Sequence, residues 1–303
     1  MIDSAIVVRP LETMAEIAAA EEVQRVTWSM PDLEIIPAHA MHVMQHSGAA
    51  LLGAFDGDRV VGFVFGVLGM VDISGATAPT AAARLKMYSV IAGVLPDYQH
   101  RDVGYRLKQA QRDLAMQQGL RLVTWTFDPV MALNAHLNIR KLGGIGTRYL
   151  QDYYGTTAGG GLVLLGTSDR LYVEWWVTSR RVEKRLHGKR SDLSLEQILA
   201  AGTPILNPAE VDAAGWPEPR MMPPQFGPNL LALLEIPPDF NSLLAQDEAL
   251  ARAWRSHTRA MFLQAFTRGF VVTDFLRATH EGRDRAFYLL GYNGPQFETI
   301  SYN

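Results

Sequence analysis

Apolar positions along this chain switch between strand-like runs and a helical repeat, and each switch marks an element. Residues 4–9, SAIVVR, form a short β-branched run closed by Pro10, and LETMAEIAAAEEVQRVTW behind it has helical spacing with acids in its first half. A second helical stretch follows over 37–46. ALLGAFDGDRVVGFVFGVLG predicts an antiparallel pair joined at Asp56-Gly57-Asp58, where glycine suits the positive φ of a tight hairpin. Residues 84–95 read as a further strand stopped by Pro96, with Gly93 marking a bulge or a close approach of ligand to backbone. VGYRLKQAQRDLAMQQG is a helix ended by Gly119, LRLVTWTF a strand, and MALNAHLNIRKLG a helix ended by Gly143, with strands near 145–154 and 171–177. The order β-α-α-β-β-β-α-β-α-β-β is mixed α/β.

Over 179–228 the pattern breaks into charge (RRVEKRLHGKR) and then proline and glycine (GWPEPRMMPPQFGP), with one short helix near 194–201. This segment reads as a linker, its charge run a solvated helix face. Beyond it come a strand, NLLALLEIP, a helix, SLLAQDEALARAWRSHTRAMFLQAF, and two strands joined through THEGRD. Strand, helix, hairpin is also the order of the first 69 residues, so 229–303 is either an incomplete second copy of the N-terminal half of the fold or an unrelated α+β cap. The expected partition is 1–178, 179–228 and 229–303.

Composition narrows the function. The chain has 303 residues with 48% hydrophobic and 19% charged, so a sizeable core is expected. Twenty-eight basic against 31 acidic residues give −3 with no basic stripe, which argues against nucleic acid as a partner. The absence of cysteine removes thiolate catalysis, disulfides and Cys-type zinc sites. The opening MIDSAIVVRPLE reads as neither a signal peptide nor a membrane span, and a soluble, cytoplasmic protein is expected. No Walker loop, Rossmann fingerprint, nucleophile elbow or HExxH is present. His39, His42 and His46 share a helical face, but no carboxylate is fixed near them and no metal is expected.

The most informative stretch is VIAGVLPDYQHRDVGYRL, a strand that ends at Pro96 and passes through a loop into a helix near Val103. A helix start behind such a loop offers backbone N–H groups to phosphate oxygens. The segment resembles the central motif of the GNAT superfamily, whose acyl-CoA pyrophosphate loop reads Gln/Arg-x-x-Gly-x-Gly/Ala, here Gln99-His100-Arg101-Asp102-Val103-Gly104. RLVTWTFDP, NAHLNIRKLGG, RYLQDYYG and TSDRLYVEWW are similar to one family of GNAT acyltransferases, and the likeness covers 50–178. Some members are succinyl-CoA-dependent N-acyltransferases acting on amino acids.

The resemblance implies a GNAT-like central mixed sheet flanked by helices over 1–178. It also implies direct transfer from acetyl-CoA or succinyl-CoA to the amine of a small molecule, without a metal. By the same resemblance, the N–H groups of Ala92 and Val94 hold the thioester carbonyl and pantetheine arm, Asn134 bonds that arm, and the loop through Tyr105 takes the pyrophosphate. Two positions depart from the pattern. The first motif glycine is Asp102, and the tyrosine expected four residues before Gly143 is Ile139, which takes away the usual acid. Asp128, His136, Tyr153 and Tyr154 are the substitutes, and Asp128 before Pro129 equally reads as a helix cap. Arg148 and Arg170 are candidates for recognising a carboxylate, or else ordinary ion pairs with Asp152 or Asp169. One of Trp175 and Trp176 is expected in the core and the other at a cleft or subunit interface. A homodimer through an exposed sheet edge is a further expectation. The alternatives in other classes are a catalytically silent CoA- or metabolite-binding module and a peptide N-acyltransferase.

Overall fold

The computed structural model describes residues 6–71, 85–157, 160–188, 192–212, 215–220 and 230–293. Two compact units divide the chain, one of Met1–Trp125, Tyr154–Gly166 and Trp176–Thr178, the other of Thr126–Tyr153, Thr167–Trp175 and Ser179–Asn303.

In the first unit β1 (Val7–Pro10), β2 (Ala50–Asp56), β3 (Arg59–Met70) and β4 (Leu85–Val94) pair antiparallel in that order, and β5 (Leu122–Phe127) joins β4 in parallel. The sheet is therefore mixed. Asp56 lies opposite Arg59 within the ladder, so the turn expected over Asp56–Asp58 is made by Gly57 and Asp58 alone, with Gly57 at φ +58°. Between β1 and β2 come α1 (Met14–Trp28) and α2 (Ala38–His46). Thr13 and Glu16 close a reciprocal capping box at the start of α1, whose inward stripe is Ile17, Ala20, Val23 and Gln24. Ile17, Ala20 and Val23 meet Leu11, Met41, Phe55, Phe63, Phe65 and Leu107 in one core.

A parallel pair needs a crossover, and α3 (Val103–Gln117) supplies it between β4 and β5. Its buried positions are Val103, Leu107, Lys108, Gln111, Arg112 and Ala115, one face of a 3.6-residue repeat in which half the members are polar.

The second unit orders its strands β7 (Arg170–Trp176), β6 (Ile145–Leu150), β11 (Phe270–His280), β12 (Arg283–Tyr292), β10 (Leu231–Ile236). MALNAHLNIRKLG forms α4 (Ala132–Ala135) followed by a π-helical turn, His136–Lys141. The C-terminal helix is two: α7 (Phe240–Gln246), and α8 (Glu248–Thr267), whose N-cap Asp247 accepts from Leu250 N–H at 2.9 Å. Strand, helix and hairpin do recur here, but β10 pairs with β12, whereas β1 pairs with β2, the first strand of its hairpin. The likeness to the N-terminal half thus stops at element order and does not reach strand order.

Within 179–228 the described residues hold α5 (Arg180–Leu186), α6 (Leu195–Ala200) and a small ribbon, β8 (Glu210–Val211) with β9 (Pro217–Glu218). Leu195 and Ile198 are buried against Leu233, Leu276 and Phe287. The charge run is not simply a solvated face. Arg181 donates to the Gly143 and Thr273 carbonyls, and Arg185 to those of Ile139 and Arg140 and to Asp274. Carbonyls at a helix C-terminus have no partner within the helix, and these guanidiniums provide one. The methionines at 221–222 lie outside the described residues.

Candidate functional site

The loop and the strand before it lie wholly in the first unit. Among the described residues β4 pairs with β5 at Met87 opposite Val123 and Tyr88 opposite Thr124, while its ladder with β3 continues to Val94. A register shift at Val90 bulges β4 just past the point where β5 leaves it. Leu95 N–H donates to Val61 O on β3 at 2.9 Å. Donors alternate sides along a strand, so the N–H groups of Ala92 and Val94 face away from β3, toward the side that β5 has vacated. The Val94 carbonyl on that side accepts from the Gln99 amide at 3.0 Å, which ties the loop back to its strand.

Gly93 has a different reason from the expected one. A Cβ there would stand 2.5 Å from the Trp28 ring of α1, so the glycine admits an indole and the bulge lies at Val90 instead.

After Pro96–Tyr98, one turn of 3-10 helix, Gln99 is extended, His100 has φ 62° and Asp102 has φ 57°. The motif position expected to be glycine is thus a left-handed one, which aspartate tolerates better than most residues. Asp102 is the N-cap residue of α3 and makes no side-chain cap hydrogen bond there. The early N–H groups of a helix lack intrahelical acceptors, so those of Val103, Gly104 and Tyr105 point into the loop with the helix dipole behind them. His100, Arg101 and Asp102 are all exposed, and the Arg101 guanidinium lies 5.3 Å from the Tyr98 ring centroid.

Beneath the strand divergence sits a group that the sequence reading missed. Lys108 is buried, donating to Ser89 Oγ at 2.7 Å and Gln111 Oε1 at 3.0 Å with its Nζ 4.0 Å from the Trp125 ring centroid. Burial pushes its pKa down from 10.5 to about 7. The available signal was spacing, because Lys108 follows Leu107 on the inward stripe of α3.

Of the acid and base candidates, Tyr154 is half-buried in a turn of the first unit, and Tyr153 beside it is exposed. Asp128 and His136 belong to the second unit. Asp128 is ion-paired with Arg255, and its Oδ1 accepts from Val130 N–H at 3.2 Å, so it holds the turn that leads into α4. His136 is half-buried with no hydrogen-bond partner at Nδ1, and it lines a cavity of about 230 Å³ with Arg140, Glu196 and Arg277. Burial, aided by Lys141, Arg277 and Arg140, holds its imidazole below the usual range. Ile139 is fully buried and fills a core position where the sequence pattern calls for tyrosine.

The remaining candidates also belong to the second unit. Asn134 is exposed on α4. Arg148 is exposed and stacks 4.0 Å from the centroid of Tyr172, its cross-strand neighbour. Arg170 is buried and donates to the Asp169 carbonyl at 2.9 Å. The carboxylates expected to answer these arginines are held by Arg259 of α8, which bonds Asp169 at 2.6 Å and Asp152 at 2.9 Å. Burial opposes the charge on Asp169, but hydrogen bonds from Arg259, Tyr149 and the Asp152 N–H keep its carboxyl below the usual carboxylate range. Trp175 is the core tryptophan, bonded to the Leu142 carbonyl at 2.8 Å, and Trp176 is half-buried. Among the described residues no group of three or more His, Cys, Asp or Glu is placed to hold a metal, and no helix is long and apolar enough to cross a membrane.

No protein-family model matches the chain, and comparison with curated proteins gives no match. Solved structures similar to it include the ribosomal-protein-S18-alanine N-acetyltransferase of Escherichia coli, with 15% identity over 58% of this chain and 96% of that one at a TM-score of 0.43. NAA60 of Arabidopsis thaliana in complex with acetyl-CoA shares 15% identity over 57% and 99% at 0.45. An N-acetyltransferase from Staphylococcus aureus Mu50 shares 13% over 58% and 100% at 0.43.

Proposed function

We propose that this chain is an acyl-CoA-dependent N-acyltransferase of the GNAT type, moving an acetyl or succinyl group directly to the amine of a small molecule such as an amino acid. The observation that carries the reading is the divergence of β4 from β5, with the donors of Ala92 and Val94 on the vacated side and the strand running into a loop that ends at the N-terminus of α3. A thioester carbonyl lying along that side accepts from Ala92 N–H, which stabilises the oxyanion as the amine attacks. The pantetheine arm follows the strand to Val94, and the pyrophosphate accepts from the amides that begin α3. Arg101 offsets part of the Asp102 charge at the phosphates.

Attack by a neutral amine forms the amide and releases the CoA thiolate, and the amine nitrogen gives up a proton. Tyr154, in the same unit as Ala92 and the loop, is the proposed acid for the thiolate, and the amine proton passes to solvent. Arg148, an exposed residue of the second unit, is proposed to recognise a carboxylate. The chain has no cysteine to carry an acyl-thioester intermediate, in keeping with direct transfer.

Thiol release from acetyl-CoA and succinyl-CoA, measured against a panel of amino acids, tests the reading. Release that requires both donor and acceptor, with kinetics showing a ternary complex, is expected. Ping-pong kinetics, or no release with any amine, contradicts it. A second reading, a CoA-binding module without turnover, draws on the buried Ile139 in the place of the acid, and it predicts binding without release.

A further inference from the structure

We propose that Lys108 is a positioning residue of the acyl-CoA cleft, whose side chain props β4 and β5 apart at the point where their ladder ends. The inference rests on the acyltransferase reading and deepens it.

The ladder between the two strands stops at Tyr88 and Thr124. The next residue on each strand, Ser89 on β4 and Trp125 on β5, is the one that Lys108 touches, the first by a 2.7 Å hydrogen bond and the second through the face of its ring. The amine thus spans the two strands at their first unpaired step, and Gln111, one turn along α3, fixes it from a third side at 3.0 Å. Ser89 and Gln111 are themselves buried, so the cluster is sealed on the protein side. Room for it is built into β3, where Gly66 lies opposite Ser89 and a Cβ would stand 2.8 Å from Gln111 Nε2.

Among the described residues the amine contacts Ser89, Gln111 and Trp125, and none of these is a carboxylate. α3 adds Gln111 and the guanidinium of Arg112, which donates to the Val177 carbonyl at 2.8 Å. β4 adds Ser89 and β5 adds Trp125, while Gly66 of β3 makes room for Gln111. An ammonium here has two acceptors and a ring face for its three donors, and no counter-ion among the described residues. Burial accordingly lowers its pKa to about 7. A phosphate-bearing cofactor in the cleft favours the ammonium, which holds both strands more tightly than the amine does, and binding and protonation reinforce one another. The sign follows: cofactor affinity is greatest below the free-state pKa and falls as pH rises through it.

The test is calorimetric titration of CoA into wild type, Lys108→Met and Ser89→Ala between about pH 6.5 and 8.5, with thermal melts to confirm folding. Lys108→Met is expected to weaken CoA binding about tenfold, and the wild-type loss of affinity over that range, about threefold or more, is expected to vanish in it. Ser89→Ala should lose about threefold and keep part of the pH dependence. Wild-type affinity and pH dependence in a folded Lys108→Met protein overturn the proposal, and if that variant does not fold, wild-type behaviour of Ser89→Ala does so instead. Tryptophan emission of the ligand-free protein, titrated alongside Trp125→Phe, reads the same amine without CoA and should show a transition near neutral pH that both Lys108→Met and Trp125→Phe abolish. If wild type binds no CoA, the acyltransferase reading and this proposal fall together. Normal CoA binding with no Lys108-dependent change overturns the proposal alone.

Discussion

Asp102 occupies a left-handed position with an exposed carboxylate at the mouth of the proposed phosphate loop. Two effects of replacing it with glycine follow, and they read out separately. At a well-solvated site the charge beside a phosphate costs about 1 kcal/mol, so Asp102→Gly should bind CoA roughly fivefold more tightly and lower KM for the donor more than it alters kcat. Relief of backbone strain is offset by the extra freedom glycine gives the unfolded chain, so thermal stability should stay within about 0.5 kcal/mol of wild type. Isothermal titration and a melting curve check the two halves; an unchanged CoA affinity would mean that the carboxylate points away from the phosphate. Asp102 was legible in the sequence because a motif gave its position a conformational requirement. Lys108 was not, since nothing in a lysine codon distinguishes the inward stripe of a helix from its outer face until the sheet below is placed. Gly93 shows the same limit: its role is decided by Trp28, 65 positions away in the sequence.

Helices with explicit end signals were the most readable elements. At the α1 start, where the sequence reading used only apolar spacing and early acids, the structure closes both hydrogen bonds of a box between Thr13 and Glu16 at the third helical position. Thr13→Ala should therefore cost about 1 kcal/mol in denaturant unfolding. The Glu16 carboxyl is held down to about 2 from 4.5, chiefly by the Arg9 hydrogen bond and then by the Glu12 N–H. The stabilisation it contributes is present above pH 4.5 and drains away as pH falls toward 2, so Glu16→Gln should reduce the acid sensitivity of unfolding in that window. Equal stability losses for the two proteins between pH 5 and 2 would contradict this. Where an end signal is weak the reading blurred: α7 and α8 ran together because Asp247, which ends one and caps the other, looks like any polar residue within a helical repeat. The arginines of α5 read as solvated because the carbonyls they satisfy lie about forty and ninety residues away in sequence.

At the scale of the molecule, the order of elements could be read along the chain but the pairing of strands could not. β10 beside β12, and β6 between β7 and β11, are choices among alternatives of equal local propensity, settled by which faces bury one another. The same holds for the two compact units, whose segments alternate along the chain, with 154–166 and 176–178 belonging to the first. The proposed cofactor site could be drawn from the sequence because the backbone donors assigned to it lie in one contiguous stretch, from Ala92 through the loop to Tyr105. For acid, base and acceptor recognition the sequence offered only a set of candidates, because those roles fall to side chains from segments far apart in the chain.

The central claim, an acyl-CoA cleft at the divergence of β4 and β5, is tested most directly by calorimetric titration of acetyl-CoA, succinyl-CoA and CoA into the wild-type protein. Saturable binding of one molecule per chain, stronger for one thioester than for free CoA, is the result predicted. Absence of binding by all three, in wild type and in Asp102→Gly alike, would contradict the account.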